Sequence, residues 1–162
     1  MSSLVGLPRA LVLDVRTETN GVSVLCQIDK MTFKNEKWID DKYLGYLKHG
    51  ERLISGRWRN SGGEWSFLLK DGEDGRLIEK DQVFECLDGY YGERAELVLK
   101  NLSWEARTLS AEKDHGHCDI CWETIDAHKS HMRSNENDSI CIGCFELYVK
   151  PKNLAFIQEW AK

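Results

Sequence analysis

The chain has no apolar run approaching the ~18 residues that a membrane-crossing helix needs. Its opening stretch, MSSLVGLPRALVLDVR, lacks the charged-then-apolar order of a secretory leader, because Pro8, Arg9 and Asp14 interrupt it. There is no surplus of positive charge: Lys+Arg 22 against Asp+Glu 27 gives a net charge of −5. Proteins that bind DNA or RNA draw much of their affinity from a basic face that neutralises phosphate. The charge balance therefore points away from nucleic acid and towards protein partners, basic ones in particular. A Gly-rich phosphate loop, a G-x-S-x-G elbow and an H-E-x-x-H helix are also missing. Carboxylate pairs are abundant, but none stands apart from a solvated acidic surface. These absences predict a cytoplasmic, membrane-free, non-enzymatic protein. In the cytoplasm a metal is the better reading of clustered cysteines, and disulfides are the worse one.

What the chain does have is cysteine in a pattern. Cys118-Asp119-Ile120-Cys121 and Cys141-Ile142-Gly143-Cys144 are two Cys-x-x-Cys pairs with nineteen residues between them. Each pair offers two thiolates at a bite suited to a tetrahedral ion, and two pairs complete a sulfur shell. Cys118, Cys121, Cys141 and Cys144 are therefore the expected ligands of one structural Zn2+. Four thiolates leave no open position for water, so Lewis-acid catalysis is not expected. His115, His117, His128 and His131 crowd the same region. A mixed shell, with His117, His128 or His131 in place of a cysteine, is the alternative. His128-Lys129-Ser130-His131 reads more simply as a solvated loop. Cys26 and Cys86 read as small buried hydrophobes.

With 162 residues, 41% apolar and 30% charged, the chain suits one packed domain plus a small module. The expected fold class is α+β, with a body over 1–111 and a zinc module over 112–162. In the body, Ala10–Arg16 predicts a strand with Leu11, Leu13 and Val15 on one side. Asn20-Gly21 predicts a hairpin turn and Val22–Ile28 the return strand. Residues 35–49 predict a helix capped by Asn35, with Ile39, Tyr43, Tyr46 and Leu47 as its apolar stripe. Glu51–Leu69 predicts a second hairpin that turns at Ser61-Gly62-Gly63, with Trp65, Phe67 and Leu69 alternating. Arg57-Trp58-Arg59 reads as a strand with its Trp inward, the rival being a site that stacks bases and holds phosphate. Asp71–Gly75 is a turn without the downstream ligands of a calcium loop. Short strands are expected near Ile78 and Phe84, followed by a tyrosine-bearing loop over Asp88–Gly92. Ala95, Val98, Leu102, Ala106 and Leu109 predict a helix over 93–111, with a hairpin breaking near Asn101 as the competitor.

Ser110–Gly116 is the expected linker into the module. Trp122 and Ile125 are expected to pack on the metal loop, and residues 126–138 to form a polar excursion. Phe145–Val149 suits a short helix limited by Pro151. Leu154, Ile157 and Trp160 suit a docking helix. A knuckle, an intervening hairpin or loop, and a second Cys-x-x-Cys at a helix start together resemble a treble clef. The resemblance spans roughly residues 115–150. It implies Cys118 and Cys121 on the knuckle, and Cys141 and Cys144 at a helix N-terminus, where the dipole favours thiolate. It implies little about task, because that fold serves many.

The HNH nucleases share the treble clef. That family would use His128 or His131 as general base and Asn135 or Asn137 in the middle position. No histidine follows Cys144, however, so the pattern departs at a catalytic place. By composition the chain is similar in a general way to bacterial toxin-immunity proteins. The expectation is a zinc-containing protein-binding protein of the inhibitor, immunity or adaptor type. The alternatives are a zinc-dependent nucleic-acid-binding regulator and an enzyme housed in the first 110 residues.

Overall fold

A computed structural model describes residues 6–29, 31, 36–73, 75–108, 115–126 and 128–157. The expected cap Asn35, the linker residues 110–114 and Trp160 lie outside the described residues. The fold is mixed and mostly antiparallel β, with short helices and a cysteine cluster near its C-terminal end. Among the described residues no helix is long and apolar enough to cross a membrane. The chain forms two compact units: the described residues of Met1–Glu93 with Phe156–Lys162, and those of Arg94–Ala155. The division expected between 111 and 112 falls inside the second unit. The reason is pairing: the strand Trp104–Thr108 hydrogen-bonds to Ser130–Ser134, so it belongs with the cysteine hairpins.

The first unit is a closed barrel of strands β1 (Arg9–Glu18), β2 (Gly21–Asp29), β3 (Leu44–His49), β4 (Arg52–Ser61), β5 (Glu64–Leu69) and β6 (Val83–Asp88). Its spatial order is β1-β2-β5-β4-β3-β6, and every neighbouring pair is antiparallel. The first two expected hairpins are present, with Gly62 and Gly63 both at positive φ in the second turn. In β1 the inward residues are Ala10 and Val12, the opposite face from the one expected. A bulge follows between Val12 and Asp14, and its extra residue, Leu13, turns out to solvent, so no single alternating face runs through the strand.

The described part of the expected helix, residues 36–49, is not one helix. Only Glu36–Trp38 makes a 3₁₀ turn, and Leu44–His49 is β3. Gly45, Tyr46, Leu47 and Lys48 are all buried, so both faces of this strand are covered and alternation disappears from its sequence. Pairing with β4 and β6 on its two edges then overrides helical spacing. The expected loop over Asp88–Gly92 is instead the start of helix α1 (Gly89–Leu99), which Asp88 caps by accepting the Tyr91 N–H at 2.8 Å. The helix ends at Leu99 rather than running to 111.

The barrel core is aromatic. Trp58 and Phe67 face each other across β4 and β5, with ring centroids 4.9 Å apart and planes at 67°. Gly45 and Gly56 are direct partners on β3 and β4, and they concede the space these rings occupy. A Cβ at Gly56 would lie 2.6 Å from the Phe67 ring and against the Leu68 carbonyl. Phe67 is fully buried, and the Leu68 carbonyl belongs to backbone that cannot swing aside as a flexible side chain would. Gly56→Ala is therefore expected to lower stability by about 2–3 kcal/mol, the range for overpacking a tight core. Denaturant unfolding checks this: an unchanged midpoint would show that the β4–β5 pair yields.

Candidate metal centre

The four cysteines arrive on three pieces of the second unit, a knuckle, a strand end and a helical segment. Strands β8 (His115–His117) and β9 (Thr124–Asp126) pair as a hairpin whose tip is the Cys118–Cys121 knuckle. The knuckle is closed by the Cys118 N–H donating to the Glu123 carbonyl and the Trp122 N–H donating to the Cys118 carbonyl, both at 2.9 Å. Strand β7 (Trp104–Thr108), β10 (Ser130–Ser134) and β11 (Ser139–Cys141) form a sheet in the order β11-β10-β7. Cys141 ends β11. Cys144 sits in the short helical segment α2 (Ile142–Cys144), which passes into a π-helical turn, Phe145–Val149.

All four Sγ atoms lie within 4.8 Å of one another, and Cys121 and Cys141 are 3.8 Å apart. A tetrahedral zinc thiolate with bonds of ~2.3 Å has S···S edges of ~3.8 Å, so the cluster fits such an ion. The cluster consists of thiols alone; His117, His128 and His131 are not part of it.

The backbone is already arranged for sulfur charge. The N–H groups of Ile120 and Cys121 each donate to Cys118 Sγ at 3.4 Å, that of Cys144 to Cys141 Sγ at 3.4 Å, and that of Glu123 to Cys121 Sγ at 3.5 Å. Burial opposes a thiolate at Cys118, but N–H donation from Cys121, Cys141 and Ile120 outweighs it and holds the thiol below its ordinary range. Burial pushes Cys121 up to about 11, and the neighbouring Cys118 sulfur adds to the rise. Cys144 is pushed up by burial and then by the charge on Cys118. One thiolate thus makes the others harder to ionise, and a divalent cation among the four sulfurs removes that conflict. The cluster can therefore bind a metal ion such as zinc.

Two supporting residues went unread in the sequence. Asp119 locks the two cysteine pairs together: its N–H donates to the Ser139 carbonyl at 2.8 Å, and its Oδ2 accepts the Ser139 N–H at 2.9 Å. Arg94, buried on α1, donates from Nε to the Ile120 carbonyl of the knuckle at 3.1 Å. The residue type inside C-D-I-C was a usable signal for Asp119. Nothing near Arg94 in sequence points to a site 26 residues away.

The histidines divide differently from expectation. His128 is exposed with φ at 67°, as a loop residue should be. His131 is buried on β10 directly opposite Cys141, because β10 is the central strand of its sheet. The polar excursion expected over 126–138 is therefore partly ordered sheet. His117 stacks on Trp122 at 4.8 Å with planes 8° apart. Trp122 itself is 59% exposed rather than packed on the metal loop, whereas Ile125 is buried.

The remaining sequence candidates are absorbed by the fold. Trp58 is buried, Arg59 grips Glu18 through two hydrogen bonds at 3.2 and 2.6 Å, and Arg57 donates to the Lys42 carbonyl at 3.2 Å. Cys26 and Cys86 lie inside the barrel. Burial pushes the Cys26 thiol up to about 12 and Cys86 well above the ordinary thiol range. Thiolate is the reactive species, so both are expected to stay unmodified by a water-soluble maleimide in the native protein. After chelation, Cys118, Cys121, Cys141 and Cys144 should label first; mass mapping that finds Cys26 or Cys86 modified before unfolding would count against the closed barrel. A scan against protein-family models, a search of curated proteins and a search of solved structures each return no match for this chain.

Proposed function

We propose that the chain is a non-enzymatic protein-binding protein, of the inhibitor, immunity or adaptor type, stabilised by one structural Zn2+ on Cys118, Cys121, Cys141 and Cys144. The observation that carries this reading is the thiol cluster itself. Its sulfurs converge at the spacing of a closed tetrahedral shell, and such a shell has no place for a reacting water. Soft thiolates in that geometry select zinc over the hard cations. The order of elements, knuckle hairpin, second hairpin and Cys-x-x-Cys opening onto a helical segment, supports building the module as a treble clef. Thiols kept reduced suit a cytoplasmic protein. Trp122, Ile142 and Leu147 are large apolar side chains left exposed in the same unit, a composition suited to protein contact.

The test is a pull-down of tagged protein from its own cell lysate, with mass spectrometry of captured proteins and a parallel assay for nucleic acid. The Cys141→Ser variant is the control. A stoichiometric protein partner that the variant loses supports the reading. Nuclease-sensitive nucleic acid with no protein partner overturns it in favour of a zinc-dependent nucleic-acid-binding regulator. Capture of neither overturns it as well and moves attention to chemistry in the barrel.

A further inference from the structure

The barrel carries a cavity of about 430 Å³ that no part of the zinc reading uses. Its described wall holds three carboxylates, Asp40, Asp88 and Glu93, and among the described residues no Lys or Arg lines it. The same wall holds the rings of Trp38, Tyr43 and Tyr90, of which Tyr43 is 68% and Tyr90 51% exposed. Gly45 and Trp58 also line it. Trp58 is 1% exposed, and its indole Nε1 has no hydrogen-bond acceptor among the described residues. The edge of the ring carrying Nε1 lies beside Gly45, 3.3 Å from where a Cβ on that glycine would stand. A buried donor without an acceptor destabilises a fold, so its persistence beside a cavity needs an explanation.

We propose that this cavity is the binding site for an arginine side chain presented by a polypeptide partner. The inference rests on the protein-binding reading and names the partner chemistry at a site separate from the cysteines. Asp40 and Glu93, with no Lys or Arg lining the cavity among the described residues, favour a positive guest. Aromatic rings beside carboxylates favour the guanidinium over the ammonium, because its flat face stacks on a ring while its edge forks to a carboxylate. The Trp58 N–H, unpaired among the described residues, is enclosed in the free protein; where the side chains around it shift on binding, a peptide backbone supplies the carbonyl acceptor that an isolated cation does not. The net charge of −5 adds long-range attraction for a basic partner.

The test titrates the full-length, zinc-loaded protein by calorimetry with acetyl-Gly-Arg-Gly-amide. The comparison ligands are the same peptide with citrulline, which keeps the shape and loses the charge, and free arginine. The protein variants are Tyr43→Ala and the double variant Asp40→Asn/Glu93→Gln, all at side chains in contact with solvent. The arginine peptide is expected to bind about tenfold or more tightly than the citrulline peptide, and each variant to lose about tenfold. Equal binding of both peptides, unchanged binding in the variants, or no binding of the arginine peptide overturns the proposal. Free arginine binding as tightly as the peptide overturns the polypeptide source and leaves a small cationic metabolite as the guest. The peptide titration needs no lysate. A positive titration with no partner captured would sink the protein-binding reading alone, and a captured partner with no titration would sink the cavity alone.

Discussion

Replacing Cys118 by serine is expected to unfold the second unit while the barrel retains its strands. Zinc bound by such a shell contributes on the order of 10 kcal/mol or more to a small module. The second unit has little to set against its loss. Among the described residues, apart from α1, its buried apolar side chains outside the cysteines are Ile120, Ile125, Ile140 and Leu154. Each such side chain supplies roughly 1.5–3 kcal/mol by burial, whereas ordering each backbone residue costs about 1–2 kcal/mol. A hydroxyl in place of a thiolate is a poor zinc ligand, and at position 118 it also receives two N–H groups placed for sulfur. The effect should be graded. Cys118 is fully buried and holds the knuckle, whereas Cys121 is exposed, so Cys121→Ser should weaken the metal without collapsing the unit as completely. Elemental analysis should give one zinc per chain for the native protein. Hydrogen exchange should then show the amides of β10 and β11 losing protection on chelation and recovering it with equimolar zinc. Protection that survives chelation would mean that the metal is not structural.

The parts of the fold that the sequence announced are those written in local chemistry. Gly62-Gly63 form the tight turn expected of them, while the first hairpin turns one residue early, at Thr19-Asn20, with Gly21 at positive φ opening the return strand. The cysteine spacing brought four sulfurs together across twenty residues because a Cys-x-x-Cys turn has one favoured shape, with its own N–H groups facing sulfur. What stayed hidden was decided by distant partners. Leu44–His49 shows helical spacing, yet β4 and β6 claim its two edges. Residues 93–111 carry one apolar stripe, yet the described part, 93–108, divides into the end of a helix and a strand that β10 recruits. His131 looks like a loop histidine until β10 is seen to be a central strand. Closure of the barrel was not legible either, since β1 and β6 meet from opposite ends of the unit.

Lys48 is the residue that composition most misjudges, and its removal should be the largest single-residue effect in the barrel. It is 1% exposed on β3, and its Nζ lies 3.4 Å from Oε1 of Glu85, its register partner on β6. Both sit on the strand faces opposite the core residues Leu47 and Cys86, so the pair closes the second buried layer of these strands. Bringing two charges out of water is costly, and their attraction offsets that cost only while both are present. Lys48→Met leaves a buried carboxylate facing a thioether and is expected to destabilise by about 3–5 kcal/mol, the range for breaking a buried pair. Glu85→Leu leaves the ammonium stranded and should act in the same direction. The double variant Lys48→Met/Glu85→Leu removes both charges and should recover most of the loss, since apolar residues of similar volume often replace a buried pair without penalty. Equilibrium denaturation of the three variants gives the coupling directly. A double variant as unstable as the sum of the singles would mean that the two side chains act independently and that the Lys48 stem, packed along β6, matters more than its charge.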